Sequence, residues 1–74
     1  MNREKIEVTT AFIKLDSFLK FCGACATGGE AKNIIKDGYV FVNGERCEAR
    51  GKKLVHGDIV KIDDKEFEVI KVEG

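Results

Sequence analysis

The first helical pattern of the chain runs from residue 15 to residue 22. Apolar side chains recur there at i, i+3, i+4 and i+7, namely Leu15, Phe18, Leu19 and Cys22. This spacing places them along one face of an amphipathic helix. Gly23 follows directly, and glycine is a common residue just past the end of a helix. We therefore predict a helix that begins at Leu15 and ends before Gly23.

A second helix is predicted between Thr27 and Gly38. Thr27 and Glu30 stand three residues apart, as in a capping box, where the threonine hydroxyl accepts a hydrogen bond from a free helix amide. The helix should therefore begin at Gly28. Its apolar stripe consists of Ala31, Ile34 and Ile35. Gly38 can adopt the left-handed backbone conformation that ends a helix without a Cβ clash.

Strand patterns fill most of the remaining sequence. Residues 39–42 are aromatic or β-branched, and Asn43-Gly44 predicts a type I′ hairpin turn after them. The register pairs Val42 with Glu45 and Val40 with Cys47, which places both valines and the cysteine on a core face. Further strands are expected over residues 59–62 and 67–72, and a weak edge strand is expected before residue 9.

The hairpin also carries two aromatic residues on the face opposite its valines. Tyr39 and Phe41 alternate with Val40 and Val42, so they should project away from the core. In that position they either stack on an unpaired base or cover part of the core. The alternation alone leaves both roles open.

These elements predict a single α+β domain over residues 1–74, with two short helices packed on a small, mostly antiparallel, twisted sheet. A chain of 74 residues buries only about 60% of its unfolded surface, which excludes a deep catalytic cleft. No apolar run approaches a membrane span, and the N-terminus is charged where a signal peptide is hydrophobic. We expect a cytoplasmic monomer that does not contact a membrane.

Charge is distributed unevenly along a chain whose formal net charge is zero. Residues 14–53 carry eight Lys or Arg and five Asp or Glu, whereas residues 54–74 carry three and six. The basic residues of the middle segment are Lys14, Lys20, Lys32, Lys36, Arg46, Arg50, Lys52 and Lys53. They form either a phosphate-binding face or an ordinary solvated surface, and charge alone does not decide between the two.

The cysteines suggest an alternative function. Cys22 and Cys25 form a C-x-x-C pair and, with Cys47 and His56, supply a conceivable zinc set. The spacing after Cys25 matches no familiar zinc knuckle, and Cys22 and Cys47 already fall on predicted core faces, where free cysteine is common. We therefore expect structural thiols, with no metal and no cofactor.

A second alternative is a small β-grasp carrier of the ubiquitin-like or sulfur-carrier type. Such carriers are activated through a mobile Gly-Gly tail, whereas this sequence ends in Val72-Glu73-Gly74. The early helix pair also does not suit that fold. No arrangement of nucleophile and base stands out, so we expect no catalytic residues.

The run from Lys14 to Ile62 resembles the RNA-binding domain of the ribosomal small-subunit protein-four family, which is often described by its αL motif. That pattern has Arg-Leu-Asp opening a first helix, Ser-Arg opening a second, then Ala, two aliphatic residues, Gly-x-Val-x-Val-Asn-Gly and a later Gly-Asp. The matching residues here are Lys14-Leu15-Asp16, Ala31, Ile34-Ile35, the segment 38–44 and Gly57-Asp58. The likeness is strongest to the small, free-standing bacterial members.

The resemblance implies a non-catalytic module that binds structured RNA, such as ribosomal RNA or a ribosomal particle. The residues it implicates are Lys14, Lys20, Thr27, Gly28, Gly29, Lys32, Lys36, Arg46, Arg50, Lys52 and Lys53, on the helix pair and the basic loop that follows the hairpin. Two departures matter. Lys14 lacks the bidentate fork of the family's arginine, and Thr27-Gly28 keeps the helix cap but loses the arginine of Ser-Arg.

We expect the helical lysines to contribute at least as much binding as those in the loop. Lys32 and Lys36 stand on a helix with fixed ends, so they are presented at little ordering cost. Lys52 and Lys53 are expected on a loop that must be ordered on binding, which would offset part of their contribution.

Overall fold

The computed structural model describes residues 3–72. Its elements are β1 (Arg3–Val8), β2 (Ile13–Lys14), α1 (Leu15–Phe21), α2 (Gly28–Lys36), β3 (Val40–Val42), β4 (Glu45–Arg46), β5 (Lys53–Leu54), β6 (Ile59–Ile62) and β7 (Lys65–Lys71). Five strands form one sheet in the order β1-β7-β6-β3-β4, and β2 pairs with β5 separately. The predicted α+β class, with two helices on a mostly antiparallel sheet, is confirmed.

The ends of both helices lie where local sequence signals predicted them. The Thr27 hydroxyl accepts a hydrogen bond from the Glu30 amide at 3.2 Å, which is the threonine half of the capping box and fixes the start of α2 at Gly28. Gly23 and Gly38 have φ angles of +83° and +85°, a region that glycine enters without steric cost. Both glycines therefore end their helices as predicted.

The sheet is built from two hairpins and an added edge strand. Asn43 and Gly44 both have positive φ, as a type I′ turn requires, and Val42 faces Glu45 in the predicted register. β6 and β7 form the second antiparallel hairpin. The predicted edge strand is β1, which pairs in parallel with β7. Parallel pairing is possible because the rest of the chain provides the crossover between these two strands.

A side-chain link joins the first hairpin turn to the turn before β6. The Asn43 side-chain amide donates to Asp58 Oδ1 at 3.1 Å and accepts from the Ile59 amide at 3.0 Å. The other Asp58 oxygen accepts from the Val55 amide at 2.9 Å. Two short sequence motifs that are 15 residues apart thus fix each other's position.

The core lies between the helices and the inner face of the sheet. Phe18 of α1 meets Phe67 of β7 edge to face, with ring centroids 6.5 Å apart. The fully or nearly buried apolar residues include Leu15, Phe18, Leu19, Ala31, Ile35, Val40, Val42, Val60, Phe67 and Val69. Ile34 is only partly buried, so the apolar stripe of α2 is narrower than predicted.

The short pair of strands, β2 and β5, controls where the basic loop lies. Ile13 pairs with Leu54 and Lys14 with Lys53 in antiparallel register. Leu54 is fully buried and anchors this pair to the core. The segment between β4 and β5 is therefore drawn to the beginning of α1.

Candidate nucleic-acid interface

The first turn of α1 is capped by the backbone of the basic loop. The Leu15 amide donates to the Lys52 carbonyl at 2.9 Å, and the Asp16 amide donates to the Arg50 carbonyl at 3.1 Å. Lys14, the N-cap residue, makes no side-chain cap hydrogen bond. Helix amides that lack partners within the helix are thus satisfied by the loop, and the same bonds hold the loop in place.

These hydrogen bonds show that the basic loop is already ordered in the folded protein, so the expectation that it must be ordered on binding is wrong. Residues 50–53 look like an unattached surface segment in the sequence, because strands of only two residues show almost no pattern. In the structure the loop is held by two bonds to α1 and by the β2–β5 pair. Much of the ordering cost of Lys52 and Lys53 is therefore met during folding rather than during binding.

A group of four cations results at this end of α1, and we call it the loop cluster: Lys14, Arg50, Lys52 and Lys53. All four are exposed. Lys14 and Lys53 face each other directly across the strand pair. Like charges at opposed positions repel each other, so an anion placed between them would be favourable. The neighbouring acid is Asp16, which accepts from the Ser17 amide at 2.7 Å.

Phe12 is a member of this region that sequence reasoning missed. Its ring is 41% exposed, and the Lys53 ammonium lies 4.9 Å from the ring centroid. A cation over an aromatic face is attracted by the ring quadrupole, so Phe12 restricts the position of Lys53. The contact depends on the β2–β5 pairing, and strands of two residues carry no pattern from which it could be predicted.

A second group of predicted residues meets where α1 ends and α2 begins, and we call it the α2 cluster: Lys20, Thr27, Gly28, Gly29 and Lys32. The Lys20 side chain passes close to Gly28, with Cδ 3.9 Å from where a Cβ would stand. Thr27 accepts from the amides of Glu30 and Ala31. Among residues 3–72, no acceptor contacts the amides of Gly28 and Gly29. The Lys20 side chain therefore lies beside Gly28, the first residue of α2.

The position of Lys20 bears on the missing arginine of the family pattern. A side chain at residue 28 would be in van der Waals contact with the aliphatic part of Lys20. The Lys20 side chain therefore passes beside the position from which an arginine at 28 would project. Lys32 lies four residues beyond Gly28 on α2, and residues at that spacing share one helix face.

The remaining predicted cations lie at the far end of α2. Lys36 is exposed in the last turn, where a positive charge also complements the helix dipole. Arg46 extends over Gly38, with Cδ 3.1 Å from where a Cβ would stand. Arg46 and Lys52 both line a surface groove of about 650 Å³, together with the acidic residues Glu45 and Glu48. Arg46 thus shares a groove of mixed charge with Lys52 of the loop cluster.

The three cysteines differ in burial from what the pattern predicted. Cys25 is 4% exposed and belongs to the core, whereas Cys22 and Cys47 are partly buried against it. Burial raises the pKa of the Cys22 thiol and of the Cys25 thiol, so both favour the protonated form. Over the described range, no three His, Cys, Asp or Glu side chains gather as metal ligands would.

His56 has a structural contact in the turn before β6. Its Nδ1 accepts a hydrogen bond from the Lys71 amide at 3.0 Å. Gly57 follows with a φ angle of +93°, which makes the turn. His56 is thus a turn residue with a structural hydrogen bond. Within residues 3–72, neither helix has the length and apolar character needed to cross a membrane.

Known proteins resemble this chain over most of its residues. The S4 domain family matches residues 6–70. A probable ribosome maturation protein RlbA of Bacillus subtilis (strain 168) is 40% identical over 58 residues, which are 78% of this chain and 82% of that protein. A tyrosine–tRNA ligase of Nitratidesulfovibrio vulgaris is 36% identical over 52 residues, which are 69% of this chain and 13% of the ligase.

Among solved structures, the 30S ribosomal protein S4e from Thermoplasma acidophilum has the same fold. It superposes with a TM-score of 0.61 at 17% sequence identity. The match covers 81% of this chain and 32% of the S4e chain. At this identity the likeness shows a shared fold, and it extends over about a third of the larger protein.

Proposed function

This chain belongs to the S4 domain family, and on that premise we propose that it is a non-catalytic module that binds structured RNA, with ribosomal RNA or a ribosomal particle as its partner. Its similarity to a probable ribosome maturation protein over 82% of that protein's length supports the ribosomal partner. In this proposal residues 1–74 act as one domain and as a monomer in the cytoplasm.

The observation that carries the proposal is the attachment of the basic loop to the start of α1. The two amide-to-carbonyl bonds, from Leu15 to Lys52 and from Asp16 to Arg50, hold the backbone of the loop cluster before any ligand arrives. Binding then requires ordering of side-chain ends but little ordering of the backbone. A surface that only contacts solvent gains nothing from a fixed loop backbone, whereas a binding face gains affinity because its backbone is already ordered.

The two clusters lie at opposite ends of α1, and this separation favours an extended polyanion. Lys14 precedes the helix and Lys20 lies in its last turn, so their backbones are about 9 Å apart along the axis at 1.5 Å per residue. One nucleic-acid backbone that runs along α1 would therefore contact both clusters. A small anion would contact only one of them.

The chemistry of both clusters favours recognition of shape over recognition of sequence. Lysine ammonium groups act as compact point charges on phosphates, and the Gly28 and Gly29 amides at the start of α2 are suitable phosphate donors. A-form RNA presents phosphates and 2′-hydroxyls while its major groove stays too narrow for side chains. Thr27 contributes indirectly, because its cap fixes where those amides point.

The proposal is tested by filter binding to a ribosomal RNA transcript and to duplex DNA of equal length. If four to six phosphates are contacted, log K should fall against log salt with a slope of roughly −3 to −5 between 50 and 200 mM. We expect the RNA to bind at least tenfold more tightly than the DNA. Equal affinities, or RNA binding that is indifferent to salt, would reject recognition by a shaped basic face.

A further inference from the structure

The outer face of the sheet carries two exposed aromatic side chains. Tyr39 is 55% exposed and Phe41 is 36% exposed, whereas the alternating residues Val40 and Val42 are 0% and 4% exposed. Both aromatic rings therefore project on the side of the sheet away from the helices. Neither ring belongs to the buried core cluster.

Positive charges flank Phe41 on both neighbouring strands. Its cross-strand partners are Arg46 on β4 and Lys61 on β6. Side chains at paired positions lie on the same face of a sheet and about 5 Å apart at Cβ. Phe41 thus stands between an arginine and a lysine, and Tyr39 lies two residues before it, directly ahead of β3.

Tyr39, Phe41 and Lys61 line a shallow depression of about 360 Å³, and the Arg46 side chain lies at its edge over Gly38. Its lining residues are Gly38, Tyr39, Phe41, Gly44, Lys61 and Asp63. The glycines leave the aromatic rings accessible, since neither contributes a side chain to cover them. The one acid of the lining, Asp63, follows β6 in the hairpin turn.

We propose that this depression binds a single-stranded RNA segment, with an unpaired base stacked on Phe41 and Tyr39 and with the adjoining phosphates at Arg46 and Lys61. Every base has a face that stacks on an aromatic ring, and the two cations complement a phosphate on either side. Asp63 accepts from base amino groups and repels phosphate, so the nucleotide backbone lies on the Arg46 and Lys61 sides.

The charges around the depression argue against other occupants. A purely apolar peptide would leave Lys61 and Arg46 without partners, and a second copy of this chain would bring the same two cations against each other. Further across the sheet, Lys61 pairs with Glu66, which forms an ion pair with Arg3 at 3.2 Å. The RNA strand is therefore confined to the part of the face formed by β3, β4 and β6.

This inference goes beyond the proposed function, because the outer face lies on the other side of the sheet from the two basic clusters. It rests on the proposed function only in taking RNA as the occupant. Structured RNA on the helix side and an unpaired flanking segment on the outer face would be bound by different residues. The two sites can therefore be removed separately.

The sequence provides a direct optical probe of this site. Tyr39 is the only tyrosine and the chain has no tryptophan, so intrinsic emission arises from one ring in the depression. The probe ligand is an unstructured RNA heptamer of mixed sequence, with a blunt RNA duplex for comparison. We expect the heptamer to quench Tyr39 emission saturably and the duplex to leave it unchanged, because only unpaired bases are free to stack.

A variant pair locates the effect. Phe41→Leu keeps an apolar side chain but removes the ring, and it should weaken the heptamer titration by at least about fivefold, the lower end for loss of one stacked base. Phe21→Leu is the matched control, because Phe21 is an exposed phenylalanine of α1 in the other layer. It should leave the quenching of Tyr39 unchanged, and thermal melts of both variants check folding.

Three results would overturn the inference. One is unchanged Tyr39 emission while the anisotropy of a labelled heptamer shows saturation. Another is quenching that Phe41→Leu and Phe21→Leu reduce equally. The third is quenching that increases with protein concentration in the absence of RNA, which would indicate self-association. Failure of the proposed function looks different, because then the heptamer still quenches Tyr39 while structured RNA fails to bind.

Discussion

Replacing Lys52 and Lys53 together by glutamine tests the loop cluster most sharply. If each lysine contacts one phosphate, each contributes about 0.7 to 0.9 to the slope of log K against log salt. At 0.15 M salt, and relative to a 1 M reference, that slope corresponds to about four- to fivefold in affinity per contact. The double variant should therefore bind a ribosomal RNA transcript about 15- to 30-fold more weakly, with a slope shallower by about 1.4 to 1.8.

Folding should survive this change, because the loop is held by main-chain groups. The Lys52 carbonyl that caps α1 and the backbone of Lys53 in β5 remain in place. The contact that is lost is the Lys53 ammonium over Phe12, which is worth about 0.5 to 1 kcal/mol at an exposed site. A thermal melt should therefore show a shift of only a few degrees.

A matched control removes the same charge from a different surface. Lys5 on β1 and Lys71 on β7 are both exposed and lie outside the two clusters, so the Lys5→Gln and Lys71→Gln double variant should bind within about twofold of wild type. Equal losses in the two double variants would show that net charge, rather than a defined face, drives binding. If the Lys52 and Lys53 variant bound RNA as tightly as wild type, the loop cluster would not be part of the binding face.

Three further changes probe the cap, the α2 cluster and the thiols. Thr27→Ala should lower the free energy of unfolding, measured by urea denaturation, by about 1 kcal/mol. Thr27→Ser keeps the hydroxyl and should match wild type. Equal losses in the two variants would show that the cap hydrogen bond is not responsible. Lys20→Ala should weaken RNA binding about four- to fivefold in filter binding, and adding Gly28→Arg should restore the affinity. Unchanged affinity of the Lys20→Ala variant would show that RNA does not use a charge at that position. Burial raises the pKa of Cys22 and Cys25, so at pH 7 to 8 iodoacetamide should modify both thiols of the native protein more slowly than it modifies a free cysteine. In urea both thiols should react as fast as a free cysteine. Fast modification of the native protein would contradict their burial.

The same pKa direction sets the sign of a pH effect on stability. A thiol whose pKa is higher in the folded state than in the unfolded state favours folding while it is protonated. That contribution is complete below the unfolded pKa and is lost as the pH rises through the folded pKa. The two thiols therefore add stability at neutral pH and withdraw it in alkaline solution.

The helix ends and the hairpin turn were predictable because their signals are local. Thr27 needs only the amide three residues ahead, and Gly38 needs only its own freedom at positive φ. Asn43-Gly44 fixes a hairpin register through two residues. Each of these features depends on neighbours within a few positions, so a single sequence contains the required information.

The contacts that assemble the candidate site were not predictable in the same way. The pairing of Lys14 with Lys53 joins residues far apart in a pair of two-residue strands, too short to show a pattern. For the same reason the sequence does not show that the basic loop is ordered, although its carbonyls cap α1. The burial of Cys25 was likewise not predictable, because the turn between the helices carries no periodicity that indicates which side chain points inward.

The central claim is that structured RNA is bound by the helix side of this domain. Ultraviolet cross-linking in living cells, followed by mass spectrometry of peptides that carry a nucleotide, tests it most directly. We predict adducts within residues 14–21, 27–36 and 50–53, with an added adduct at Tyr39 or Phe41 from the outer face. Adducts confined to residues 3–8 and 65–71, or none above the non-irradiated sample, would contradict the account.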